Sequence, residues 1–74
     1  MYAFSKSVRN AQHVRRYTIQ PIESGWEVRT EQDSKSVRTA RYRDWHRVEL
    51  ARRVMVLEVA SLQEAGWSVD ESIP

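Results

Sequence analysis

The stretch DWHRVELARRVMVLEVASLQEAG, residues 44–66, is the most informative part of this 74-residue chain. Asp44 stands where an N-cap is expected, because its carboxylate can accept hydrogen bonds from the first free backbone amides of a helix. Gly66 stands where a helix ends, since glycine adopts the left-handed conformation of the C′ position at little cost. Apolar residues recur every three or four positions between them, which predicts one long helix.

The apolar residues of this helix form two stripes. The first steps by three or four and is suited to covering a sheet: Val48, Ala51, Met55, Val59 and Leu62. The second is rotated around the helix: Leu50, Val54 and Leu57. A domain of this size has a small core, so the second stripe is a candidate interaction surface. Its cover is either the chain's own Tyr2, Phe4 or Trp67, or a second copy of the chain.

Residues 53–59, RVMVLEV, leave a second interpretation of this stretch open. They are rich in β-branched residues and could form a strand after a shorter helix over about 44–52. The cap, the glycine stop and the first stripe agree with each other only if the helix is continuous. We therefore predict a single helix.

Three segments before the helix alternate in the manner of strands: Val14–Gln20, Trp26–Glu31 and Ser36–Tyr42. Short polar turns separate them, which indicates an antiparallel meander. The predicted fold class is α+β, a three-stranded meander followed by one long helix on one face, with a short fourth strand at 67–69. Residues 1–12 are predicted to form a flexible arm, 13–69 a single domain, and 70–74 a polar tail.

The alternation predicts two faces of the sheet. The inner face, toward the helix, contains Tyr17, Ile19, Trp26, Val28, Val37 and Thr39. The outer face contains Arg16, Thr18, Gln20, Glu27, Arg29, Arg38 and Ala40. Because Arg16, Arg29 and Arg38 come from three different strands, they are a candidate nucleic-acid face. Alternatively, these arginines could pair with glutamates on neighbouring strands and so stabilise the sheet.

Composition excludes several classes of protein. The chain is 41% hydrophobic and 30% charged, which is typical of a globular domain. It has no cysteine and two histidines, so we expect no disulfide, no metal site and no cofactor. No run is long enough to span a membrane or act as a signal peptide, and a cytoplasmic location is expected. Nine basic and four acidic residues in positions 1–43 give that part a net positive charge.

No catalytic motif is present, and we expect a protein that is not an enzyme. The chain has two glycines, no GxSxG, no phosphate-binding glycine loop and no HExxH. The one candidate for binding a metal or transferring a proton is His46, which lies near Asp44 and Glu49. The better interpretation is an ordinary surface histidine in the charged first turn of the helix. The chain has three tryptophans, Trp26, Trp45 and Trp67. They could form a platform on which bases or a ligand stack, but packing of their large apolar rings in the core is the better interpretation.

The run GWEVRTEQDSKSVRTARYRDWHRVELARRV resembles small uncharacterised bacterial domains in which a Gly-Trp-x-Val strand, a second strand and an alanine- and arginine-bearing helix follow in order. The resemblance covers roughly residues 13–60 and rests on Gly25, Trp26, Val28, Tyr42 and Ala51. It implies a fold and no site. The order of elements is also similar to plant ethylene-response DNA-binding domains and integrase arm-binding domains, at the level of fold only.

From these observations we expect a non-enzymatic bacterial binding module that self-associates as a homodimer through the helix. The alternative is a nucleic-acid-binding domain that uses the basic outer face of the sheet.

Overall fold

A computed structural model describes residues 3–69 of the chain. Its elements are, in order, β1 (Phe4–Asn10), β2 (His13–Ile22), β3 (Gly25–Gln32), β4 (Lys35–Tyr42), α1 (Trp45–Glu64) and β5 (Ser68–Val69). The strands form one antiparallel sheet in the order β4-β3-β2-β1-β5, and α1 crosses one face. The α+β class, the meander and the long helix are confirmed, and β5 is the predicted short extra strand. Residues 53–59 are helical.

The N-terminal segment is a strand, so the prediction of a flexible arm over 1–12 is wrong. β1 pairs with β2 from Phe4 opposite Ile19 to Asn10 opposite His13, and Val8 is fully buried. The turn between the two strands places Ala11 at φ 53, a conformation that usually calls for glycine or asparagine. Without that turn signal the hairpin was not apparent, and the domain begins earlier than residue 13. The predicted tail, 70–74, lies outside the described residues.

Both predicted ends of the helix are confirmed. The Asp44 carboxylate accepts a hydrogen bond from the backbone N–H of His46 at 2.9 Å. At the other end Gly66 has φ 104 and donates to the carbonyl of Gln63, while Trp67 donates to the carbonyl of Leu62. This pair of bonds is a Schellman motif, which satisfies carbonyls that the end of a helix leaves free. It turns the chain back so that β5 reaches the edge of β1.

The core lies between α1 and the inner face of the sheet. Its fully or nearly fully buried apolar residues are Val8, Tyr17, Ile19, Val28, Val48, Met55 and Val59. Ala51 and Leu62 pack against them, so every member of the first helical stripe faces the sheet. The rings of Trp26 and Trp45 lie 4.6 Å apart between centroids and join the start of β3 to the start of α1.

The predicted faces are right for β2 and β3 and wrong for β4. Ala40 lies opposite Val28, and Tyr42 lies opposite Trp26, so these two residues of β4 face the helix. The register shifts at Thr30–Glu31, where Arg38 pairs with Thr30 but Ser36 pairs with Glu31. Val37 is thus the extra residue of a β-bulge, and its side chain is exposed. A bulge breaks the period-2 alternation on which the face assignment depended.

Candidate functional site

The second helical stripe is exposed in the folded chain. We call Leu50, Val54 and Leu57 the outer stripe; their side chains are 48%, 49% and 70% exposed. Phe4 and Trp67, two of the residues considered as its cover, pack against the core instead, and Tyr2 lies outside the described residues. Within residues 3–69, therefore, these two aromatic residues leave the outer stripe open to solvent.

A shallow groove runs beside the outer stripe, between α1 and β4. One part of it, of about 200 Å³, has as its lining Val28, Arg38, Ala40, Tyr42, Ala51, Val54 and Met55. The adjoining part has as its lining Tyr42, Arg47, Leu50, Ala51 and Val54. Leu50 and Val54 therefore belong both to the outer stripe and to the rim of the groove. Together they form a single surface, mostly apolar, on the β4 side of the helix.

The edge of the sheet next to this groove is β4, the outermost strand on that side. It carries Lys35, Arg38 and Arg41 as well as the bulge at Val37. Edge strands of natural proteins commonly use basic residues and bulges to discourage pairing with another strand. The strand edge is therefore poorly suited to self-pairing, whereas the helix beside it is apolar.

The outer face of the sheet holds two of the three arginines predicted to lie there. Arg16 pairs in register with Ser7 and Glu31, and Arg29 pairs with Thr18 and Thr39. The placement of Arg38 on this face is wrong: the bulge directs it toward the helix, where its Nη2 lies 3.3 Å from Glu58 Oε1. The predicted row of three arginines is therefore not formed. Nucleic-acid binding by the outer face stays a prediction.

Glu27 neutralises part of the positive charge of the outer face. Its carboxylate lies 3.0 Å from Arg29 Nη2, 3.2 Å from Arg41 Nε and 3.3 Å from Gln20 Nε2. The side chain is only 6% exposed, since these neighbours cover it. The hydrogen bond from Gln20, with further help from Arg41 and Arg29, holds the pKa of Glu27 below its usual value. This cluster ties together β2, β3 and β4, which favours the structural explanation of the arginines.

Replacement of Glu27 by glutamine is expected to destabilise the protein at neutral pH and less so in acid. Because the pKa of Glu27 is lowered on folding, its ionised form adds stability above the unfolded pKa of about 4.3, and this stability is lost as the pH falls through the folded pKa. Urea unfolding of wild type and Glu27→Gln from neutral to acidic pH measures the effect. Glu31→Gln, on the same strand and face, controls for loss of charge. A difference between wild type and Glu27→Gln that does not change with pH would contradict the prediction.

A second polar cluster lies between α1 and the sheet. Glu58 projects from the helix toward Arg38, and Tyr17 is fully buried nearby, with Arg15 5.8 Å from the centre of its ring. Burial, as the largest cause, raises the pKa of Tyr17. No local pattern indicates this cluster, because Arg38 and Glu58 are 20 residues apart in the chain and the alternation assigns Arg38 to the outer face. It holds the second half of the helix over β2 and β4.

The two histidines lie in different surroundings, one at the start of the helix and one at the end of the sheet. His46 is an exposed residue whose backbone N–H binds Asp44. His13 Nδ1 lies 2.8 Å from Asp33 Oδ2, a pair that joins two turns at one end of the sheet. Hydrogen bonding by His13 and by the Val14 amide lowers the pKa of Asp33. No group of three or more metal-ligating side chains is assembled in this part of the chain.

No family model, curated protein or solved structure matches the chain. The resemblance to small bacterial domains accordingly stays a prediction. Among residues 3–69, no helix combines the length with the apolar character that crossing a membrane requires.

Proposed function

We propose that the chain is a non-enzymatic binding module that self-associates through the outer stripe of α1. The observation that carries this proposal is the exposure of Leu50, Val54 and Leu57 along one line of a well-formed helix. The core stripe of the same helix is already covered by the sheet. A contiguous apolar line on a small domain is typical of a protein–protein contact.

The magnitude of the hydrophobic effect favours weak self-association. Burying the exposed half of one such side chain contributes roughly 1 kcal/mol, so six of them across a symmetric pair contribute about 6 kcal/mol. Association itself costs at least about 4 kcal/mol in lost translational and rotational freedom. The surplus is small, and additional contacts from the groove beside Tyr42 set the final affinity. Self-association is expected at about 1 mM, because that Kd corresponds to about 4 kcal/mol and the groove contacts then need to add about 2 kcal/mol to the contribution of the outer stripe.

The sheet offers a less favourable route to self-association. Antiparallel pairing of two β4 edges would bring their basic residues together and meet the bulge at Val37. The opposite edge of the sheet is β5, which has two residues. Both features disfavour a continuous sheet across two copies and leave the helix as the preferred contact.

Substitution of Val54 by glutamate is expected to weaken self-association at least about tenfold, because a carboxylate would enter the apolar contact. Val56→Glu is the matched control, since Val56 is a valine of the same helix, 46% exposed, on a different side. Both substitutions change helix propensity equally. Sedimentation velocity over a micromolar to near-millimolar series measures association, and circular dichroism verifies the fold.

Two outcomes would contradict the proposal. If the wild-type chain sediments as a monomer at every concentration, the proposed self-association is ruled out. If Val54→Glu and Val56→Glu weaken self-association equally, the contact between the two copies is not made through the outer stripe.

A further inference from the structure

Two charged residues extend the outer stripe at its ends. Six residues follow one another along this line of the helix at alternating steps of three and four: Arg47, Leu50, Val54, Leu57, Ser61 and Glu64. Arg47 and Glu64 are exposed, and neither side chain takes part in an ion pair within residues 3–69. They lie 17 residues apart, which corresponds to about 25 Å along the helix. The stripe therefore has a positive end and a negative end.

The alternation of three and four is the spacing of a two-helix seam. In such a seam the apolar side chains of one helix insert between those of its partner, and here Leu50, Val54 and Leu57 are the central residues of the line. At about 100° per residue the outer stripe points roughly 130° away from the core stripe. A second helix seated on it therefore approaches from the side facing away from the sheet.

We infer that the occupant of the outer stripe is a second copy of the chain whose α1 runs antiparallel to the first, with Arg47 of each copy opposite Glu64 of the other. In this register Val54 faces Leu57 and Leu50 faces Ser61. The symmetry of the pair produces the Arg47–Glu64 contact twice. This inference rests on the proposed self-association and adds its orientation and its register.

Other arrangements match the charges less well. A parallel pair places Arg47 beside Arg47 and Glu64 beside Glu64, and like charges at close range are unfavourable. An antiparallel pair shifted by one heptad places the Arg47 guanidinium opposite Leu57 and leaves Glu64 beyond the overlap. The register with Arg47 opposite Glu64 covers the full stripe and pairs both charges.

Charge reversal tests the orientation. Arg47→Glu and Glu64→Arg should each weaken self-association roughly tenfold, since each replaces two attractive contacts with two repulsive ones. The double variant Arg47→Glu/Glu64→Arg should return to within about threefold of the wild-type Kd. Both single variants place the favourable sign of charge at their end of the helix, so neither should unfold the monomer. Sedimentation velocity at low salt provides the measurement.

The outcomes separate this inference from the proposed function. Suppose that the wild type associates, that Val54→Glu does not, and that each single charge reversal associates as the wild type does. The antiparallel orientation is then overturned, while self-association through the outer stripe is still supported. Weakened single variants without recovery in the double variant would also overturn it. A monomeric wild type would overturn the proposed function itself. Recovery in the double variant, and in an equimolar mixture of the two single variants, supports the antiparallel pair.

Discussion

Replacing Gly25 with alanine is expected to lower the free energy of unfolding by about 3 kcal/mol. Gly25 begins β3 with φ 145, and a Cβ atom there would lie 2.3 Å from the carbonyl oxygen of Tyr42 and 3.0 Å from the Cα of Arg43. Both obstacles are backbone atoms, so the end of β4 would have to move. The positive φ adds strain for any residue with a side chain.

Gly66→Ala is the matched control for this prediction. Gly66 also has a positive φ, of 104, but a Cβ there meets nothing within 4 Å. It should therefore cost only the conformational strain, about 1 kcal/mol. Thermal and urea unfolding followed by circular dichroism measure both variants, and a fall of roughly 15 °C in Tm is expected for Gly25→Ala. Equal losses for the two glycines would contradict the steric argument.

Replacing Met55 with alanine is expected to destabilise the protein by about 3 kcal/mol, because it leaves a cavity in the middle of the core. Met55 is 2% exposed and lies between the helix and the sheet. In a small domain whose total stability is only several kcal/mol, this loss removes much of the native population at elevated temperature. Urea unfolding measures the change.

Val56→Ala serves as the control because Val56 is the neighbouring residue but is largely exposed. Its removal should change stability by less than about 0.5 kcal/mol, since lost contacts are offset by the better helix propensity of alanine. Met55→Ala should also keep wild-type self-association below its Tm, because Met55 faces away from the outer stripe. Loss of association in the folded Met55→Ala protein would show that the two stripes are not independent.

Much of the fold could be predicted from local signals. The helix was bounded correctly because Asp44 and Gly66 act through their nearest backbone neighbours. The faces of β2 and β3 followed from alternation, since Tyr17 and Val28 lie on regular strands. The strand β1 was missed because its turn uses Ala11 at a positive φ without glycine. The face of β4 was missed because the bulge at Val37 depends on pairing with β3.

The candidate site was predicted in part. The outer stripe was identified from the spacing of Leu50, Val54 and Leu57, but its exposure depends on where Phe4 and Trp67 pack. The candidate nucleic-acid face was predicted with Arg38, which instead binds Glu58. The Glu27 cluster and the Tyr17–Glu58 region join residues distant in the chain, and no local pattern indicated them.

Local signals were sufficient for the helix, its ends, its two apolar stripes and the meander before it, because each depends on periodicity or on hydrogen bonds within a few residues. Three features follow only from the folded chain: the role of the N-terminal segment, the face to which Arg38 belongs and the exposure of the outer stripe. These depend on strand pairing and on competition among aromatic side chains for a small core, which are properties of the assembled chain. The outer stripe is left open because the core is filled by Val8, Tyr17, Ile19 and the first helical stripe.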